Sequence, residues 1–295
     1  MSNKNSEQAY KIDKQWLSHS FSHAARSYDE VAVLQREVAS RLFSRLEYIQ
    51  LKPETILDLG SGTGFCSNLL FDGYKKSSIY SLDISHGMLA HAKAQQGFLK
   101  KLKGRTRYLC GDAEQLPLQN EMCDMAFSSL MMQWSFDLDK TFTELRRVLK
   151  PGGLLMFSTL GPDTLKELRA SWKAVDDKAH VSAFIDMHDI GDALMRSGFS
   201  DPVMDVENIT LTYSSVNNLM MDLKKLGSRN ALQGRQHGLT GKDKVKKMME
   251  VYEQFRKDGL FPATYEVVYG HAWVPESGIA PSKIDNGFPI PVRSS

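Results

Sequence analysis

"TILDLGSGTG", Thr55 to Gly64, is the stretch on which the fold turns. Thr55 to Leu59 has the length and apolar character of a strand, and it releases into Gly60, Gly62 and Gly64 before a helical texture that begins near Phe65. Glycine there permits positive φ and removes the Cβ atoms that would keep a ligand off the main chain. The spacing departs from the dinucleotide pattern G-x-G-x-x-G, and Asp58 would face a pyrophosphate with the wrong sign. A diphosphate is therefore disfavoured, and a ligand with a cationic amino group is favoured.

Outward from this turn the chain alternates. "SIYSLDI", "TRYLC", "CDMAFSSL" and "GGLLMFSTL" read as short strands, separated by segments of helix length such as Gly87 to Leu102 and Asp139 to Leu149. Strands that alternate with helices predict parallel pairing and a doubly wound α/β sheet. Upstream, apolar residues from Trp16 to Leu46 recur at spacings of three, four or seven, a helical pattern broken near Ser27 to Asp29. Downstream of Gly161, Asp163 to Asp176 and His188 to Ser197 look helical, and "PVMDVENITLTY" looks like a sixth strand. Ser215 to Asp258 is mostly helical before a last strand, "ATYEVVYGHAWV", which is expected to pair antiparallel at the sheet edge. The expected organisation is a helical lid over 1–50, a ligand-binding core over 51–160 and a remainder of the sheet with a helical cover over 161–275. A loose tail rich in Pro, Ser and Gly occupies 276–295.

At 295 residues the chain can bury a full core. Its 42% hydrophobic and 24% charged residues are ordinary for a globular protein, and a net charge of +2 demands neither nucleic acid nor membrane. Cys66, Cys110 and Cys123 are odd in number and widely spaced, which argues against a disulfide framework or a zinc site. No metal-ligand cluster stands out, so no metal is expected. The opening "MSNKNSEQAYK" lacks the apolar core of a signal peptide, and no apolar run reaches the roughly 18 residues of a membrane span, so a cytoplasmic protein is expected.

Two further acids stand where a nucleoside would need them. Asp83 closes the second strand roughly 20 residues after the glycine turn, the place from which a carboxylate accepts from ribose hydroxyls. Asp112 closes the third strand in "CGDAEQLPL", where its carboxylate could meet an exocyclic adenine amine and the Ala113 amide a ring nitrogen. Each acid alone serves equally well as a helix N-cap or a solvated strand end; the combination with the glycine turn, in this order, outweighs that.

With "ILDLGSGTG", "LDIS", "GDAEQLPL", "CDMAFSSL" and "LKPGG" in this order, the stretch from Pro53 to Leu160 resembles the class I S-adenosylmethionine (SAM) dependent methyltransferases. The resemblance implies a Rossmann-like, doubly wound sheet of seven strands, here with an N-terminal helical extension and a helical insertion. It places Asp58, Gly60, Ser61, Gly62 and Gly64 at the methionine end, Asp83 with Ile84 and Met88 around the ribose, and Asp112 with Ala113 at the adenine. Ser128, Ser129 and Leu130 would lie beside the sulfonium.

The segment after the fourth strand narrows the choice of acceptor. "SSLMMQW" carries no Asn/Asp-Pro-Pro-Tyr element of the kind that positions nucleic-acid amines. Cys110 and Cys123 sit inside strand-like runs, where a buried structural thiol is the better reading than a nucleophile. The stretches "FSHAARSYDEVAVLQREVASRL", "MMQWSFDLDKTFTELRRVLKPGG", "LGSRNALQGRQHGLTGKDK" and "FPATYEVVYGHAW" resemble the malonyl-acyl-carrier-protein O-methyltransferases of the biotin pathway, and carry the likeness to about Pro275. Ser135 and Phe136 depart from the polar pair often found there. The resemblance implies a malonyl thioester as acceptor, on an acyl carrier protein or on coenzyme A, with no nucleic acid and no membrane as partner. A small free carboxylic acid or a quinone precursor is the alternative acceptor, and a non-catalytic SAM- or carrier-binding protein the alternative class.

A malonyl carboxylate is ionised near pH 7 and attacks a sulfonium methyl without a general base, so alignment, exclusion of water and charge balance are what remain to be supplied. Tyr28, Gln133 and Arg229 are the candidates to do this, with Trp134 as a wall; a core tyrosine and a solvated arginine are the plain alternatives for Tyr28 and Arg229. Lys224, Lys225, Arg229, Arg235, Lys242, Lys244, Lys246 and Lys247 form a basic stretch that suits an acidic carrier protein, or else a solvated face. The run Lys100, Lys101, Lys103, Arg105 and Arg107 should lie at the opposite end of the sheet.

Overall fold

The computed structural model describes residues 13–178, 180–227 and 241–276. Its sheet contains β1 (Thr55–Leu59), β2 (Ser78–Asp83), β3 (Thr106–Cys110), β4 (Cys123–Ser129), β5 (Leu149–Leu160), β6 (Ser200–Tyr213) and β7 (Phe261–Trp273), in the order β3-β2-β1-β4-β5-β7-β6. The strands β1 to β5 pair parallel, while β7 runs antiparallel to both β5 and β6. The expected antiparallel closure at the edge is thus present, with β7 slotted between β5 and β6.

Period-two alternation divides the strand side chains between two faces. Ile56, Met125, Phe127, Leu154 and Met156 join one apolar cluster, and Leu57, Leu59, Ala126, Leu155 and Phe157 join the other. Helices α3 (Val33–Arg45), α4 (Phe65–Gly73) and α8 (Lys166–Lys173) cover the first face, and α7 (Leu138–Val148) and α9 (Met187–Arg196) the second. Phe127, Phe142 and Phe157 are fully buried, each contributing about 1.5–3 kcal/mol from removal of apolar surface from water.

The upstream helical pattern becomes α1 (Lys14–Ala24), α2 (Tyr28–Val31) and α3, followed by a 3-10 turn over Leu46–Tyr48. The break falls near Ser27, as the sequence suggests, and again at Ala32. Asp13 caps α1 by accepting from the Trp16 amide at 2.9 Å. Beyond β5, α9 has its expected length, whereas α8 is shorter than its pattern: it starts only after Leu165, which sits at φ 55 and cannot continue a right-handed helix. The insertion holds α10 (Val216–Lys225) and α11 (Lys242–Tyr252). Arg229, Arg235 and the tail from 277 onward lie outside the described residues. Among those described, no helix is long and apolar enough to cross a membrane.

Strand order reverses between β1 and β4, and the crevice at their carboxyl ends is where an open α/β sheet admits a ligand.

Candidate active site

At that crevice the main chain turns sharply. Gly60, Gly62 and Gly64 all have positive φ, at 74°, 53° and 89°. The Gly60 and Ser61 amides donate to the Leu82 carbonyl at 2.8 and 3.0 Å, tying the turn to the end of β2. A Cβ at Gly60 would collide with the Met131 side chain, whereas at Gly62 it would meet nothing within 4 Å. Gly60 is therefore required by packing, and Gly62 borders open space.

Asp83 braces the same turn from across the crevice. Its Oδ2 accepts from the Gly62 amide at 2.9 Å and its Oδ1 from the Ser85 amide at 2.8 Å. Burial raises its pKa, and these two amides work against that rise. Ser85 in turn caps α5 (His86–Gln95) by accepting from the Met88 amide.

A cavity with an empty volume of about 780 Å³, open mouth included, is lined by Gly60, Gly62, Asp83, Ile84, Met88, Asp112, Ala113 and Ser129, so these sequence-derived candidates converge. Leu130, Trp134 and Tyr28 border it too. Asp58, Ser61, Gly64 and Ser128 do not line it. Asp58 points through the sheet instead, because alternation along β1 sends it under α4. There it is fully buried; its Oδ2 accepts from Ser67 Oγ at 2.5 Å, and Ser67 Oγ lies 2.5 Å from Ser81 Oγ. Asp58 Oδ1 has no partner, and burial pushes the carboxyl up to about 7. Ser128 faces inward and donates to the Leu59 carbonyl at 3.0 Å, while Ser61 and Gly64 stand behind the turn. These four shape the turn rather than line the cavity.

The residues present fit SAM. Open space beside Gly62, a buried carboxylate at the end of β2 and apolar walls from Leu59, Leu82 and Met88 suit a cationic amino acid joined to a nucleoside. At the β3 end of the cavity Asp112 accepts from Lys14 Nζ at 2.7 Å and from the Glu114 amide at 3.0 Å; Lys14 also bridges Glu114 at 2.7 Å. Helix α1 is thereby fastened over this end. Lys14 and Glu114 give no local signal in the sequence, since the contact joins segments 98 residues apart.

A second, larger cavity adjoins the first, and Phe21, Tyr28, Leu130 and Trp134 line both. Its walls are mostly apolar, with Leu34, Leu160, Leu165, Leu168 and Met220 among them, and a few polar groups intervene, including Gln35, Gln133, Asn217 and Lys224. Phe21 meets Trp134 edge to face at 5.4 Å, so these rings form the partition on one side. The Tyr28 hydroxyl has no hydrogen-bond partner among the described residues, and burial with Asp83, Cys66 and Asp29 nearby raises its pKa, so it stays a proton donor through neutral pH. Gln133 is committed: its Nε2 donates to the Leu130 carbonyl at 2.7 Å and its Oε1 accepts from Thr159 at 3.2 Å. It holds the wall after β4 instead of presenting a free amide. Gln35, which carries no signal in the sequence, lines this second cavity with its Oε1 unpartnered.

The thiols stay out of the chemistry. Cys123 is buried and pushed up to about 12, and Cys66 is raised well above its ordinary value by burial. Cys110 departs from the expected burial, because β3 is an edge strand and its side chain faces outward. Among the described residues no three His, Cys, Asp or Glu side chains gather as a metal site. Lys100 pairs with Asp72 at 2.7 Å, and Arg105 caps the Phe71, Tyr74 and Ser77 carbonyls, so that basic run is engaged in the fold.

Residues 57–157 match the family model described as a methyltransferase domain. The chain is 53% identical to a malonyl-[acyl-carrier protein] O-methyltransferase of Gallionella capsiferriformans (strain ES-2), over 90% of this chain and 92% of that one. It is 50% identical to the protein of the same name from Methylovorus sp. (strain MP688), over 92% and 93% respectively. Among solved structures, the YcgJ protein from Bacillus subtilis superposes with a TM-score of 0.57 at 16% identity, covering 80% of this chain and 99% of that one, a likeness of fold.

Proposed function

The chain belongs to the malonyl-[acyl-carrier protein] O-methyltransferase family, and from that premise we propose how its two cavities divide the reaction between them. The protein is a SAM-dependent methyltransferase that esterifies the free carboxylate of a malonyl thioester, a step suited to the start of pimeloyl synthesis for biotin. The observation that carries the division is the shared wall of Phe21, Tyr28, Leu130 and Trp134: a methyl donor seated at the glycine turn and an acceptor in the larger cavity meet only there.

SAM supplies an electrophilic methyl on a sulfonium. Asp83 and the glycine turn hold the nucleoside and amino-acid parts, and Asp112 with Ala113 borders the adenine. The acceptor needs no base, because its carboxylate is already ionised near neutral pH. What the chain contributes is direction and dryness. Tyr28 offers a neutral donor at the junction, while the leucines and aromatic rings exclude water. A sulfonium and a carboxylate lose charge as they react, so a strong cation at the junction would stabilise the reactants more than the transition state. Neutral donors avoid that penalty.

Helix α1 and Tyr28 together form a lid over both cavities, with Lys14 as its fastening at the adenine end. Lys224 borders the acceptor cavity, and Lys242, Lys244, Lys246 and Lys247 lie on α11, where Lys244 pairs with Asp176 at 2.8 Å and Lys246 with Glu250 at 4.0 Å. Lys224 at the cavity, with the lysines of α11 that keep no carboxylate partner among the described residues, suits an acidic carrier protein presenting its thioester arm.

Incubation of the purified protein with SAM and malonyl-loaded carrier protein, with mass spectrometry of the intact carrier as the readout, is expected to show a gain of one methyl. A carrier of unchanged mass would refute the acceptor. Turnover of a free small carboxylic acid as fast as the loaded carrier would show that the carrier is not recognised.

A further inference from the structure

We propose that Gln35 is a carboxylate-binding residue, its side-chain amide acting with the Tyr28 hydroxyl to hold the acceptor carboxylate in line with the methyl donor. This rests on the reading of the larger cavity as the acceptor site.

Gln35 stands in the first turn of α3, a helix whose other inward residues, Leu34, Val38 and Leu42, are all buried apolar side chains. It lines the acceptor cavity, as Tyr28 does, yet its Oε1 is enclosed without a partner, and the amide makes no hydrogen bond among the described residues. An enclosed amide oxygen with nothing to bind destabilises a fold, whereas leucine or methionine of similar size would pack there without that cost. Gln133, which also lines this cavity, shows the contrast, since both ends of its amide are used within the protein. A half-turn about the last side-chain bond exchanges the oxygen and nitrogen of Gln35, so its NH2 is available to the cavity from either arrangement.

The chemistry of the acceptor explains why an amide suits this place. A carboxylate about to lose its charge needs directional donors that fix its oxygens, and a guanidinium or ammonium would hold the charged reactant too firmly. Gln35 and Tyr28 are both neutral donors. Lys224, which also lines this cavity, is exposed and borders the groove outside as well, so solvent screens its charge.

Steady-state kinetics of Gln35→Leu and Gln35→Glu with malonyl carrier at saturating SAM tests the assignment. Gln35→Leu is expected to lower kcat/KM for the carrier about 10- to 100-fold, the worth of one hydrogen bond to a charged group. SAM affinity by calorimetry should stay within about twofold and the thermal midpoint should not fall, because an unsatisfied amide has been removed. Gln35→Glu places like charge against the carboxylate; enclosure and that neighbouring charge raise its pKa, so relative to wild type at the same pH it should lose more at pH 8 than at pH 5, where protonation restores a donor. A Gln35→Leu enzyme with kcat/KM near wild type, or one whose SAM affinity falls in step, overturns the role of Gln35 alone. A wild-type protein that leaves the malonyl carrier unmethylated overturns the acceptor reading, and this role with it.

Discussion

Asp83→Ala is expected to weaken SAM binding by about a hundredfold or more while leaving the sheet folded. The wild-type carboxylate does two things at once: it accepts from the Gly62 and Ser85 amides, and it faces the cavity at the place where ribose hydroxyls would sit. Hydrogen bonds to a charged acceptor contribute about 1.5–3 kcal/mol each, so loss of two ribose contacts alone reaches this magnitude. The released Gly62 amide adds to it by loosening the turn. Asp83→Asn is not expected to rescue, because an amide presents its NH2 to one of two backbone donors that both require an acceptor. Calorimetry with SAM, alongside far-ultraviolet circular dichroism to confirm the fold, reads the effect. Dissociation constants within about threefold of wild type in both variants would remove Asp83 from the site.

Asp58→Asn is expected to stabilise the ligand-free protein at pH 8 and to leave it nearly unchanged near pH 4. Burial raises the Asp58 carboxyl from its ordinary 3.8 to about 7, with the Asp83 charge reinforcing the rise and Ser67 opposing it. Between those two values the folded chain binds the proton and the unfolded chain does not, so stability falls as pH rises through this window and levels off above it. Fully expressed, the loss is on the order of 4 kcal/mol, read as an upper bound because water and local rearrangement relieve buried charge. Asparagine keeps the shape and cannot ionise. Thermal or urea unfolding of both proteins from pH 4 to pH 8 checks this: the gap between them should open towards neutral pH and then hold. Parallel curves would mean that Asp58 ionises freely in the folded state.

The core strands are legible because each carries its own signal. "TILDL" and "GGLLMFSTL" are apolar runs bounded by glycine, and in a doubly wound sheet covered on both faces such runs need no alternation to be recognised. The glycine turn is legible for the same local reason. The side-chain directions within it are less so: Asp83 ends β2 and Asp58 stands one residue before the end of β1, yet one points into the crevice and the other under α4, a difference decided by strand phase and helix placement.

Contacts made at long range leave no local mark. Lys14 reaches Asp112 across 98 residues, and Gln35 becomes conspicuous only when α3 is seen against an apolar cavity that gives its amide no partner. Gln133 shows the opposite error. As a polar residue after β4 it reads as a free donor, but the turn over Met132–Trp134 brings Leu130 and Thr159 to both ends of its amide.

The most direct test of the division of labour between the two cavities is a crystal structure with S-adenosylhomocysteine and a non-reactive malonyl-pantetheine analogue. The expected result is the sulfur at the wall shared by Phe21, Tyr28, Leu130 and Trp134, with the malonyl carboxylate on its far side within hydrogen-bond reach of Tyr28. A malonyl group bound outside the larger cavity, or a nucleoside seated away from Gly60 and Gly62, would contradict it.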